Sequence, residues 1–161
     1  MSFPEKIIPW AKLPGWRQGI RGKGLRLVVT NGCFDILHLG HVTYLEAARQ
    51  HGDLLLVGIN SDSSVRELKG AGRPVNSETD RAGVVAALAC VGAVCIFSER
   101  SALHFLTAAQ PEVWVKGGDY TLDSINQDER RAVEKNGGKV AILPLVPGKS
   151  TTTLLEKISR L

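Results

Sequence analysis

The sequence contains no long hydrophobic run and few cysteines. Its 161 residues include no apolar stretch close to the roughly 20 residues that a membrane-spanning helix needs, and residues 1–10 lack the apolar core of a signal peptide. We therefore expect a cytoplasmic protein with no membrane partner. The three cysteines, Cys33, Cys90 and Cys95, are an odd count without Cys-x-x-Cys spacing. This argues against a disulfide framework or a zinc knuckle and predicts free thiols.

The sequence also lacks an excess of charge outside its first 26 residues. The whole chain has 20 Lys and Arg against 16 Asp and Glu, a net charge of +4. Residues 1–26 hold six of those basic side chains against Glu5 alone, which leaves 14 basic and 15 acidic side chains elsewhere. Such a near-neutral body argues against nucleic acid as a partner. We predict a basic N-terminal arm or helix at residues 1–24, either solvated or touching an anionic partner or another subunit, before one compact domain at residues 25–161.

Short apolar runs alternate with helical patterns along this domain. Ser61 or Asp62 can cap one short helix, Ser77 opens a capping box, and Ser150 precedes the last helix. The pattern predicts an α/β fold, a single Rossmann-like, doubly wound parallel sheet of five strands with helices on both faces. The predicted strands are residues 25–30, 53–60, 93–97, 112–116 and 139–144, and the predicted helices are residues 40–51, 62–68, 77–89, 102–109, 128–136 and 151–160.

Loops that follow the strands are the places to look for chemistry, because ligands of such sheets bind beyond the carboxyl ends of the strands. The candidate loops are residues 32–39, 60–62, 116–120 and 147–152.

The most informative segment, Asn-Gly-Cys-Phe-Asp-Ile-Leu-His-Leu-Gly-His, joins the first strand to the first helix of the domain. His38 and His41 are three residues apart, so both imidazoles point the same way at a helix start. The glycine between them lets a ligand approach the backbone. Free amides and the positive dipole end of the helix favour an anion, which predicts a triphosphate site. Two alternatives remain open: structural histidines, or zinc ligands together with Cys33 or Asp35.

Further motifs follow in order along the chain. The string TNGCFDILHLGHVTYLEAARQHGD is followed by GINSD, LKGAGRP, VWVKGGDY and STT. From about residue 25 to residue 158 the sequence resembles the cytidylyltransferase-like nucleotidyltransferases, and most closely the D-glycero-D-manno-heptose 1-phosphate adenylyltransferases of bacterial ADP-heptose biosynthesis. The resemblance implies transfer of AMP from ATP to heptose 1-phosphate, with Mg²⁺ bound to ATP as the cofactor. The products are ADP-heptose and pyrophosphate, and ADP-heptose feeds surface-polysaccharide assembly.

The resemblance also implies roles for individual residues. His38 and His41 contact the triphosphate and stabilise the transition state at the α-phosphorus, and Lys69 closes over the phosphates. No protein side chain is assigned to the metal. The implied nucleotide-binding residues are Gly32, Cys33, Phe34, Gly40, Lys116, Gly117, Asp119, Lys149, Ser150, Thr151 and Thr152, and the implied substrate-binding residues are Asp35, Asn60, Asp62 and Arg81.

Structural roles compete with several of these assignments. Asp35 can bond backbone amides of its own turn, Arg81 can form a surface salt bridge, and Lys69 can be a solvated charge. Gly117 can belong to a tight turn that needs glycine, and Ser150 can simply cap the last helix.

The donor nucleotide is predicted from a departure from the family pattern. Cytidylyltransferases for glycerol or choline phosphates carry an arginine a few residues before the serine, where this chain has Leu145 and Val146. The departure argues against CTP and leaves Lys149 as the cation at this position.

Two other functions compete with the heptose enzyme. One is a related transferase that acts on glycerol, ethanolamine or riboflavin phosphate, and the other is a non-enzymatic RNA-binding module that uses the N-terminal arm. Relatives form dimers, so we expect a homo-oligomer, dimer or higher. Ile7, Ile8, Trp10 and Trp16 can pack against a partner or cover the domain's own edge. Because the chain has no room for a sugar-kinase domain, the kinase that makes the sugar 1-phosphate is expected on a separate polypeptide.

Overall fold

Five parallel strands form one sheet in the order β3-β2-β1-β4-β5. The computed structural model describes residues 1–144 and 146–161, so Leu145 lies outside the described residues. Most strand residues are apolar and buried, as expected of a parallel sheet covered on both faces. The predicted doubly wound α/β fold is confirmed. The strands are β1 (Leu27–Gly32), β2 (Leu54–Asn60), β3 (Ala93–Phe97), β4 (Val113–Gly117) and β5 (Lys139–Leu143).

Serine side chains cap the start of three of the helices. Ser61, Ser77 and Ser150 each accept a backbone hydrogen bond from the residue three positions later, as the sequence predicts. The helix after Ser77 is shorter than predicted, since it ends at Ala86 rather than near residue 89. The helices are α1 (Leu13–Gly22), α2 (Leu39–Arg49), α3 (Asp62–Lys69), α4 (Glu78–Ala86), α5 (Leu103–Ala109), α6 (Gln127–Lys135) and α7 (Thr151–Ile158).

Helices cover both faces of the sheet. Residues of α1, α5 and α6 pack with Trp114 in one apolar cluster, while residues of α2 and α4 pack with Val57 in the other. Gly58 allows the close packing of α5, because a Cβ atom at this position would lie 2.5 Å from the Phe105 ring. No helix in the described part of the chain is long and apolar enough to cross a membrane.

The first 24 residues pack against the domain. Ile7 forms a parallel bridge with Val94 of the edge strand β3, and the Ile8 amide donates to the Val94 carbonyl at 2.8 Å. In α1, the buried Arg17 donates to the Gln110 carbonyl and pairs with Glu112. Of the forms predicted for this segment, the structure has a short helix that lies on the domain. Ile7, Ile8 and Trp16 pack against the apolar clusters of the domain, whereas Trp10 is 40% exposed.

The strand order reverses between β1 and β4, and this switch point forms a crevice. The two strands pair only at Val28 with Val113 and at Val29 with Trp114, so their carboxyl ends are not paired. The Tyr44 hydroxyl of α2 spans the gap, at 2.7 Å from the Thr30 hydroxyl and 3.0 Å from the Val115 carbonyl. Ligands of doubly wound sheets bind at such a switch point.

Candidate active site

A cavity of about 750 Å³ opens at the carboxyl ends of the strands. Its walls come from segments that are far apart in the sequence but meet at this edge of the sheet. Asp62 and Arg81 are the only residues predicted for the site that do not line it. The predicted residues in its wall are Gly32, Cys33, Phe34, Asp35, His38, Gly40, His41, Asn60, Lys69, Lys116, Gly117, Asp119, Lys149, Ser150, Thr151 and Thr152.

His38 and His41 form a stacked pair at the start of α2. Their ring centroids are 3.9 Å apart with an interplanar angle of 26°. The Nδ1 atoms of both rings are buried and have no hydrogen-bond partner among the described residues. A buried N–H without an acceptor is costly, so the proton is favoured on Nε2. Both imidazoles are therefore suited to donate a hydrogen bond from Nε2.

The environment keeps both histidines neutral at pH 7. Burial, together with the charge of Lys149, lowers the pKa of His38 below its usual 6.5. Burial, together with His38, lowers the pKa of His41 to about 4. In the free protein the pair consequently offers neutral N–H donors. A bound polyanion would raise both pKa values, because it favours the protonated form.

Glycine is required between the histidines. A Cβ atom on Gly40 would lie 2.9 Å from the His38 ring and 3.0 Å from the Lys149 Cβ atom. The start of α7 also contacts the loop before α2, because the Thr151 hydroxyl donates to the Ile36 carbonyl at 3.4 Å. The starts of the two helices thus meet at one end of the cavity. Two helix N-termini and the Lys149 ammonium group favour a bound anion there.

Asp35 holds two loops together. Its side chain accepts hydrogen bonds from the Val75 and Asn76 amides at 2.9 Å and from Arg73 Nε at 2.6 Å. Burial opposes ionisation of Asp35, but the hydrogen bonds from Asn76 and Val75 and the Arg73 guanidinium hold its pKa below the usual value. The carboxylate thus has a structural role, and the partners lie in the loop before α4 rather than in its own turn. The substrate-binding role predicted for it remains a prediction.

Arg81 is a buried connector rather than a wall residue. It is 1% exposed, and its guanidinium donates to the backbone carbonyls of Cys33, Asn60 and Asn76. It also pairs with Asp62 at 2.8 Å. The surface salt bridge considered for Arg81 is thus buried on the arginine side. The substrate-binding roles of Arg81 and Asp62 remain predictions, and in this structure both residues support the ends of β1 and β2.

Lys116, near the end of β4, lies close to two aromatic rings. Its Nζ atom is 4.4 Å from the Tyr120 ring centroid and 5.3 Å from that of Trp114. Burial lowers the pKa of Lys116, and the negative charge of Glu129 opposes that effect. The indole of Trp114 donates to the Asn31 side chain at 3.0 Å, which joins the ends of β4 and β1.

Several wall residues were missed by sequence reasoning. Arg100 and Ala102 follow β3, and the rule about carboxyl ends of strands covers this loop, although the candidate loops omitted it. Tyr44, Arg73, Asn126 and Glu129 also line the cavity, and so does Tyr120, which lies in the candidate loop at residues 116–120 but was given no role. No three His, Cys, Asp or Glu side chains within residues 1–144 and 146–161 are grouped closely enough to hold a metal ion, so the zinc alternative has no ligand set among these residues.

Comparisons with known proteins show which family and which curated proteins this chain resembles. A family model described as cytidylyltransferase-like matches residues 29–156. A bifunctional protein HldE from Trichlorobacter lovleyi is 51% identical over 138 residues, which are 86% of this chain and 28% of the relative. A bifunctional protein HldE from Geotalea uraniireducens is 55% identical over 136 residues, or 84% of this chain and 27% of the relative. The chain therefore spans less than a third of the length of these curated relatives.

A solved structure supports the same fold. The crystal structure of the lipopolysaccharide core biosynthesis protein from Thermoplasma volcanium GSS1 aligns with a TM-score of 0.63 at 28% sequence identity. The alignment covers 76% of this chain and 98% of that one. This extent supports the fold described above.

Proposed function

Because this chain belongs to the cytidylyltransferase-like family, we propose that it is an adenylyltransferase that transfers AMP from ATP to heptose 1-phosphate in the cytoplasm. ADP-heptose and pyrophosphate are the products. The observation that carries the proposal is the stacked pair of His38 and His41 at a helix start, open to a cavity that Lys69 and Lys149 also line. Similarity to a lipopolysaccharide core biosynthesis protein supports a sugar acceptor.

The reaction needs positioning and charge stabilisation more than acid–base chemistry. A phosphate oxygen of the acceptor attacks the α-phosphorus of ATP in line, and a new P–O bond forms. The bond from the α-phosphorus to the bridging oxygen of the β-phosphate breaks, and pyrophosphate leaves with the electron pair. The second pKa of a phosphate monoester is near 6, so the attacking group is already anionic and needs no strong base.

The histidines act by donating hydrogen bonds to the reacting phosphates. Their lowered pKa values keep them neutral in the free protein, and charge that develops on the phosphate oxygens strengthens the bonds. Lys69 and Lys149, which line the cavity, add positive charge from α3 and from the loop before α7. Such donors act best when they are already in place before the reaction begins.

Mg²⁺ is proposed to enter with ATP rather than to be held by the protein alone. The donor set fits this arrangement, because Mg²⁺ is often bound by substrate phosphates with one or two carboxylates and Asp119 lines the cavity. When bound, the ion would supply charge neutralisation on the triphosphate. A homo-oligomeric assembly and a separate kinase polypeptide belong to the same proposal, and light scattering of the purified chain tests the first of these.

A pyrophosphate-release assay tests the proposed reaction. ATP or CTP would be offered with Mg²⁺ and a panel of acceptors: heptose 1-phosphate and the phosphates of glycerol, ethanolamine and riboflavin. We expect release with ATP and heptose 1-phosphate only. Turnover with another acceptor would keep the chemistry and reject the substrate, while silence with every pair would reject the function.

A variant pair tests the mechanism. His41→Ala should lower kcat by about 100-fold or more, as expected for the loss of a transition-state donor. His104→Ala is the matched control, since His104 has a side chain that is 71% exposed and does not line the cavity. A loss of only a few-fold in His41→Ala would contradict the mechanism.

A further inference from the structure

Glu129 is a buried carboxylate in the cavity wall that the reaction above does not use. It is 7% exposed. Its Oε1 atom accepts hydrogen bonds from the Ser101 hydroxyl at 2.9 Å and from the Ala102 amide at 2.8 Å. Its Oε2 atom makes no hydrogen bond, and no cationic side chain forms an ion pair with it, in the part of the chain that the structure describes. Oε2 is not among the fully buried atoms that lack a partner, so it is accessible and can accept hydrogen bonds from a ligand in the cavity.

The position of Glu129 is fixed before any ligand binds. Asn126 caps α6 by accepting from the Asp128 and Glu129 amides, and the contacts with Ser101 and Ala102 join the same turn to the loop after β3. The carboxylate is therefore held by two separate elements. A ligand that bonds to it pays little to order the site.

The neighbours of Glu129 suit a ligand that is rich in hydroxyl groups. Lys116 and Asn126 line the same cavity, and Tyr120 lies beside the Lys116 ammonium group. This wall offers donors and acceptors around one aromatic ring. Sugar hydroxyls can use both kinds of group, because each hydroxyl donates and accepts.

We propose that Glu129 binds hydroxyl groups on the sugar ring of the acceptor. The inference rests on the proposed function and deepens it by assigning the acceptor to the wall formed by residues 100–102 and the start of α6. None of the predicted nucleotide-binding residues lies in residues 100–102 or in the first turn of α6, although Lys116 lies next to this wall. This part of the cavity is therefore assigned to the second ligand. The ribose of ATP carries the same hydroxyl chemistry, so the experiment has an arm for each sugar.

Steady-state kinetics of Glu129→Gln is the first arm. Glutamine keeps an oxygen for Ser101 and Ala102 but removes the charge from the bonds to the ligand. We expect the KM for the sugar 1-phosphate to rise by about 10-fold to 100-fold, as for loss of a charged hydrogen bond, while the KM for ATP stays unchanged. Glu134→Gln is the matched control, because Glu134 lies on the same helix with a side chain that is 46% exposed.

Deoxy analogues of the sugar 1-phosphate provide the second arm and use the wild-type protein. Removal of at least one ring hydroxyl should lower kcat/KM by about 10-fold, and this penalty should disappear in Glu129→Gln. If no single hydroxyl matters by more than about twofold, the inference is wrong, even when the variant fails to fold. A rise in the KM for ATP alone would assign Glu129 to the ribose and overturn it as well. Wild-type protein that is inactive with every acceptor would instead reject the proposed function, and the inference with it.

Discussion

Acid should destabilise the fold through His41. The pKa of His41 is about 4 in the folded protein against an ordinary 6.5, first because of burial and then because of His38. Below pH 6.5 the unfolded chain therefore binds a proton that the folded chain does not, so the free energy of unfolding falls as the pH falls from 6.5 towards 4. Each pH unit of this kind corresponds to about 1.36 kcal/mol. Protonation of His41 in the unfolded chain should therefore lower the free energy of unfolding by about 2 kcal/mol at pH 5 and by about 3 kcal/mol at pH 4.

The variant His41→Asn removes this titration. Urea unfolding would be followed by tryptophan fluorescence between pH 7 and pH 4 for the wild type and the variant. Carboxylates also titrate in this range, but they are common to both proteins and cancel in the difference. We expect the wild type to lose about 2 kcal/mol more than the variant by pH 5. The exposed-site variant His104→Asn is the control, and pH profiles of wild type and His41→Asn that stay parallel within about 0.5 kcal/mol would refute the reasoning.

Three further predictions concern the same site. Gly40→Ala should displace the His38 ring, which a Cβ atom would approach to 2.9 Å, and should lower kcat by about 100-fold. Gly15→Ala is the control and should leave kcat unchanged, because a Cβ atom on Gly15 would meet no atom within 4 Å. Equal kcat values in the two variants would contradict the prediction for Gly40→Ala. Arg81→Met should lower the free energy of unfolding by about 3 kcal/mol, measured in urea, whereas a stable variant with a raised acceptor KM would favour direct substrate binding. ATP should bind with proton uptake near pH 6, because the triphosphate raises the lowered pKa values of His38 and His41. Calorimetry in buffers of different ionisation enthalpy should detect this uptake. Binding heats that are independent of the buffer would contradict it.

The sheet and most helix starts could be predicted because their signals are local. Apolar, β-branched runs such as Leu54–Asn60 form strands wherever both faces are covered, and a serine such as Ser150 caps a helix with its own side chain. The cavity could be located for a related reason. Parallel strands bring their carboxyl ends to one edge, so the loops after β1 and β4 must meet there.

Contacts between distant segments could not be predicted in the same way. The pairing of Arg17 with Glu112 joins residues 95 positions apart, and nothing in the local sequence around Arg17 distinguishes it from a solvated arginine. Arg81 is a similar case, because its role depends on carbonyls of Cys33 and Asn60 that are presented by other elements. Glu129 was not predicted as a site residue, because a carboxylate in the first turn of a helix is already accounted for by its favourable interaction with the helix dipole.

The link between Asp35 and the loop at residues 73–76 has a consequence for directed evolution. That loop is an attractive target for mutagenesis, since Arg73 lines the cavity. However, its Val75 and Asn76 amides are also the anchor of the turn that carries Cys33 and Phe34. Libraries that change the length of the loop would therefore disturb the phosphate end of the cavity as well as the loop itself. Libraries of fixed length that keep Asp35 leave these two amides in place and should therefore contain fewer inactive members.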